Sequence, residues 1–152
     1  MAYGMTTWTP SMVQNADDPH AAFCEYVQQR LGTPPPTRAD RGKLRKEANA
    51  FFERYPHTDW YSLCRVVIWA ASRKVRPARV CTVLGYVRHA WSAGALPELD
   101  PVNATDPEAD ALVQAALRLE TDPRWRRRLI LARSPGAKRE VYDLWENEAM
   151  AP

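Results

Sequence analysis

Six glycines among 152 residues, and no stretch in which apolar and polar residues alternate between turn dipeptides, leave little from which to build a β-sheet. Cys24, Cys64 and Cys81 are an odd, scattered set with apolar neighbours. That usage excludes a disulfide framework and fits a reducing compartment, so a cytoplasmic location is expected. There is no run of about 18 apolar residues, and the opening MAYGMTTWTPSM has neither a basic flank nor an apolar block, so neither a membrane span nor a signal segment is expected. Metal-ligand spacings of the C-x2-C or H-x3-H kind are missing: His57, Cys64, Cys81 and His89 are separated by six, sixteen and seven residues. No metal or other cofactor is expected. G-x-S-x-G and the glycine-rich phosphate loops are also missing. The paired carboxylates Asp17/Asp18, Glu108/Asp110 and Glu146/Glu148 lie at helix starts or on a polar tail, where capping and solubility account for them. An enzyme is therefore disfavoured.

What is present argues for helix. Hydrophobic residues make up 45% and charged residues 26%, as in one ordinary globular domain, and a chain this long buries roughly two thirds of its unfolded surface. Proline is common, and it recurs just after an N-cap residue, where its missing N–H is harmless: Asp18-Pro19, Asp106-Pro107, Asp122-Pro123 and Ser134-Pro135. The first helix is predicted from Pro19 to Leu31 with Gly32 as its stop, followed by a stiff Pro34-Pro35-Pro36 connector. A second is predicted from Arg38 to Tyr55, burying Leu44, Ala48, Phe51, Phe52 and Tyr55. Its early cations Arg38, Arg41, Lys43, Arg45 and Lys46 oppose the helix dipole, which suggests a nearby anion.

Asp59 caps a third helix to Ala71, apolar nearly all round and so central. Pro77 opens a fourth, with Val80, Leu84, Val87 and Trp91 in one stripe, Gly94 as the stop, and Ala78, Thr82, Gly85, Tyr86 and His89 opposite. Gly85 inside that helix suggests close approach of another backbone or a ligand. A loop from Ala95 to Pro101 leads to a fifth helix from Pro107 to Glu120, packing Leu112, Ala116, Leu117 and Leu119. A short sixth follows from Pro123 to Arg128 around an exposed-looking Trp125, and a last helix runs from Pro135 to Met150 on Val141, Leu144 and Trp145. The predicted fold is all-α: a flexible segment 1–17, then a single-domain bundle of about six or seven helices over 18–150 that includes a helix–turn–helix candidate.

Charge is uneven. Residues 1–37 hold one base and three acids, residues 38–92 twelve bases and four acids, and residues 93–152 eight bases and eleven acids. From Trp60 to Pro97 there is no acid at all, and from Pro123 to Arg139 there are seven bases and no acid. Such a local excess suits a polyanion, as it also suits a solvated helix face. The third and fourth helices, joined by Ser72-Arg73-Lys74-Val75-Arg76-Pro77, have the spacing of a helix–turn–helix. In that reading Arg73, Lys74, Arg76, Arg79 and Arg88 meet phosphates, and Thr82, Tyr86 and His89 face the groove. Arg124, Arg126, Arg127 and Arg128 add a second backbone contact.

The stretch Ala78 to Pro101, with Val80, Leu84, Val87, Trp91, Gly94 and Pro97 in its stripe and loop, resembles a segment of the N-terminal core-binding domain of tyrosine recombinases, the phage and plasmid integrases. The resemblance spans residues 38–120 and implies a helical module lying across duplex DNA. It does not extend to strand exchange, because the chain is too short for a catalytic domain and no His-x-x-Arg occurs at His20, His57 or His89. The sequence thus leads to a non-enzymatic DNA-binding protein of phage or plasmid style. The alternative is a small adaptor or inhibitor docking on an acidic protein, for which six tryptophans and six tyrosines suit an interface.

Overall fold

Each Asp-Pro and Ser-Pro start predicted from the sequence opens a helix. The computed structural model describes residues 6–94, 96 and 105–150, and among them the fold is all-α. The α-helices are α1 (Pro10–Asn15), α2 (Pro19–Leu31), α3 (Arg38–Arg54), α4 (Trp60–Ser72), α5 (Val87–Ser92), α6 (Pro107–Leu119), α7 (Pro123–Leu131) and α8 (Pro135–Leu144). Asp18, Asp106 and Ser134 accept the N–H of the third residue beyond them, and Asp122 accepts that of Arg124. Gly32 ends α2 in the left-handed region at φ 66°. The first turn of α3 holds a carboxylate beside its cations. Thr37 and Asp40 form a reciprocal capping box, which places Asp40 in the first turn.

The main cluster packs α4 against α1, α2 and the segment after α4, with Phe23, Tyr26, Val27, Leu44, Leu63, Cys64 and Val67 buried. A second cluster joins α6, α7 and α8 through Val113, Ala116, Leu129, Val141 and Trp145. All three cysteines are free and buried, and burial pushes the Cys24 thiol up to about 11 and Cys64 well above its ordinary value. Cys24 and Cys64 are therefore packing residues without thiolate character at neutral pH. His20 ties α2 to the start of α3. Its Nε2 lies 2.9 Å from the Arg41 carbonyl and its Nδ1 3.3 Å from Arg45 Nη2. Since a guanidinium only donates, Nδ1 is the acceptor and Nε2–H the donor, which is the neutral ring. Burial, aided by the Arg45 charge, lowers the His20 pKa below its ordinary value of 6.5.

The two clusters meet at a buried carboxylate. Asp59 Oδ1 accepts the N–H and hydroxyl of Ser62, capping α4, while Oδ2 accepts the N–H groups of Arg133 and Ser134 and the Ser134 hydroxyl. Gln14 spans the same seam, donating to the Leu131 carbonyl and accepting from Tyr61 N–H. A side chain at Gly136 would crowd the Tyr61 ring: its Cβ would stand 2.7 Å from Cε1 of Tyr61.

Several expectations are corrected. Part of the segment expected to be flexible is helical: α1, capped by Thr9, has Val13 and Gln14 buried. The helix expected from Pro77 begins at Val80, and its first seven residues, Val80–Tyr86, wind as a 3₁₀ helix before α5. The stripe therefore breaks up: Val80 is fully buried, Leu84 and Val87 half-buried, and Trp91 exposed. Gly85 is not a close approach, because a Cβ there meets nothing within 4 Å. Leu119 is 64% exposed rather than packed. Trp125 is half-buried against the second cluster. The last α-helix stops at Leu144 and continues as one π turn, Trp145–Ala149. Of the loop from Ala95 to Pro101, only Leu96 lies within the described residues, buried beside Val66 and Ala90; Pro97 lies outside them.

Candidate nucleic-acid interface

The C-terminus of α4 sets the geometry of the central basic run. Arg73 N–H returns to the carbonyls of Trp69 and Ala70, and Val75 N–H to Ala70, closing the helix with a chain reversal. The residue at the reversal is Lys74, at φ 58°, the one non-glycine residue with positive φ among those described. A lysine there costs about 1 kcal/mol relative to the glycine that such helix ends favour. The reversal leaves Arg73, Lys74 and Arg76 exposed around the buried Pro77. Arg73 lies over the Trp69 ring at 5.4 Å, where cation–π attraction holds it.

The 3₁₀ winding then decides which side chains face out. With three residues per turn, residues three apart stand in one row. Val80 and Val83 are buried with Tyr86 half-buried behind them, and Cys81, Leu84 and Val87 make a second inward row. The third row, Thr82 and Gly85, is exposed, as are Arg79 just before the 3₁₀ helix and Arg88 just after it in α5. Thr82 Oγ1 donates to the Arg79 carbonyl at 2.7 Å, the kind of local side-chain bond that competes with regular α-helix. Among the described residues, no carboxylate lies within ion-pair distance of Lys74, Arg76, Arg79 or Arg88.

The predicted base-facing set divides. Thr82 and His89 are exposed, whereas Tyr86 packs against Val66, Ala90 and Leu96 and belongs to the core. As the second member of a helix–turn–helix, the segment offers only six α-helical residues, preceded by seven of 3₁₀ helix. The regular recognition helix expected from the sequence is not formed.

The second basic run serves mostly as structure. Arg126 is half-buried, and its Nη1 donates to the carbonyls of Leu117 (2.6 Å) and Glu120 (2.8 Å), closing the end of α6. Arg128 stacks over Trp125 at 5.0 Å. Arg124 and Arg127 are exposed. This run packs with α6 and α8, and the central run with α2, α3 and α4, so each sits on its own cluster.

Beside the exposed row runs a groove of about 950 Å³ between the C-terminal part of α3 and the segment 84–91. Phe51, Tyr55, Leu84, Val87 and Trp91 line it together with Arg54 and Arg88. Sequence reasoning assigned Phe51 and Tyr55 to the core, yet both are half-buried and border this groove. Their place follows from how α3 meets the 3₁₀ segment, which no local pattern announces. Among the described residues there is no cluster of His, Cys, Asp and Glu able to hold a metal ion, and no helix long and apolar enough to cross a membrane. Compared with protein-family models, with curated proteins and with solved structures, the chain matches none.

Proposed function

We propose that this is a non-enzymatic DNA-binding protein whose phosphate contacts come from Arg73, Lys74, Arg76, Arg79 and Arg88. The observation that carries this reading is a solvent-facing edge of cations with no carboxylate partner among the described residues, with the small groups Thr82 and Gly85 between Arg79 and Arg88. Cations without local partners keep their full charge for an external polyanion. The backward turn at Lys74 supports it further, because the chain carries a cation where glycine is the less strained residue. A lineage shared with the core-binding module of phage and plasmid integrases, and a cytoplasmic setting, belong to the same proposal.

The test is fluorescence anisotropy of a labelled random-sequence duplex at several salt concentrations. Affinity is expected to fall with salt at a log–log slope of roughly −5. Arg76→Glu/Arg79→Glu is expected to abolish binding while leaving the thermal midpoint unchanged. A slope near zero, or wild-type affinity in the double variant, overturns the reading. A second reading, a module docking on an acidic protein, draws on the exposed Leu119 and Ile130, which flank the second basic run (64% and 61% exposed). It gains if low-salt DNA binding is negligible.

A further inference from the structure

We infer that the groove between α3 and the segment 84–91 takes an unstacked nucleobase, so that the protein favours DNA in which a duplex adjoins unpaired nucleotides. This rests on the reading of the Arg73–Arg88 edge as a phosphate contact. Gly85 and Arg88 belong both to that edge and to the groove wall, so a strand whose phosphates follow the edge passes the groove mouth.

The lining chemistry suits a base. Three aromatic rings and two guanidinium groups stand among ten lining residues. Phe51 and Tyr55 form one wall with ring centroids 5.0 Å apart, and Arg54 lies over the Tyr55 ring at 5.4 Å. Trp91, 39% exposed, adds a third ring to the lining from α5. The acid in the lining, Glu47, has its charge opposed by Lys43 at 4.0 Å. Aromatic faces accept any base, and cations beside them hold the adjoining phosphates, which is how sequence-tolerant single-strand sites are made. At about 950 Å³ the groove has room for a nucleotide. An apolar peptide would use the aliphatic floor of Leu84 and Val87 but would leave the two guanidinium groups and the cationic edge without a role.

The experiment compares the full-length chain on a blunt random-sequence duplex and on the same duplex carrying a single-stranded thymidine tail. The tailed duplex is expected to bind at least about fivefold more tightly, the gain from one stacked base. Trp91→Leu is expected to remove that gain and keep the blunt-duplex affinity, and Trp91→Phe to restore most of it. Since Trp91 is partly exposed, both variants are checked by thermal unfolding. A tail carrying 5-iodouracil is expected to photocrosslink to Trp91 or Tyr55. Equal affinity for tailed and blunt duplexes overturns the inference while leaving the duplex reading in place. Failure to bind either DNA overturns both.

Discussion

The two basic runs are alike in the sequence and opposite in the structure. In the C-terminal cluster, Lys138 pairs with Asp110, Arg139 with Asp106 (2.7 Å) and Glu108 (3.7 Å), and Arg126 donates to two carbonyls at the end of α6. These cations hold helix ends together. In the central run, Arg73 has the Trp69 ring, and Lys74, Arg76, Arg79 and Arg88 have no ion-pair partner among the described residues. Counting charges in windows cannot separate the cases, because the acids that answer Lys138 and Arg139 lie 28 and 33 residues away. Whether a basic run is structural or available to a ligand depends on what the fold brings to it.

That contrast can be broken at three points. The largest effect belongs to Asp59, which joins the two clusters. Asp59→Ala leaves the N–H groups of Ser62 and Ser134 buried without their acceptor, and urea unfolding is expected to show a loss of about 3 kcal/mol or more. Next is Arg126→Ala, expected to destabilise by about 1–2 kcal/mol, since it uncovers two helix-end carbonyls, and to leave duplex affinity unchanged. Matching it against Arg79→Ala, which should weaken DNA binding without moving the thermal midpoint, sharpens the division of labour. A loss of DNA affinity in Arg126→Ala would dissolve it. The smallest effect is Lys74→Gly, expected to stabilise the fold by about 0.5–1 kcal/mol and to lower duplex affinity a few-fold with a shallower salt slope. Stabilisation without any change in affinity would place Lys74 outside the contact surface.

The sequence was most legible where a single local rule decides. An N-cap residue followed by proline marked α2, α6, α7 and α8, and the apolar run after Asp59 marked the central helix. The same signal, Thr9-Pro10, marks α1, but six residues are too few for a periodic stripe, and the helix holds only because Val13 and Gln14 are buried by α2, α4 and α8. The 3₁₀ segment escaped because Val80, Leu84, Val87 and Trp91 at steps of four, three and four fit an α-helix. What tips the balance is the burial of Cys81 and Val83 as well, and two inward rows are easier to supply at three residues per turn. Of the candidate site, the cations were readable one by one. That Lys74, Arg76, Arg79 and Arg88 have no ion-pair partner among the described residues, the inward turn of Tyr86 and the groove lined by Phe51, Tyr55 and Trp91 all follow from tertiary structure.

Asp59 also gives the molecule an order of assembly. Its Oδ1 can cap α4 as soon as Ser62 follows it, but the partners of Oδ2 are Arg133 and Ser134, 74 and 75 residues further along. During synthesis, α1–α5 therefore emerge with half of a carboxylate that is destined for burial still facing water. The N-terminal cluster can gather early, yet its seam stays open until the start of α8 arrives to close it. A chain interrupted between α5 and α8 lacks the partners of Oδ2, so a cap begun at Asp59 is completed only by Arg133 and Ser134.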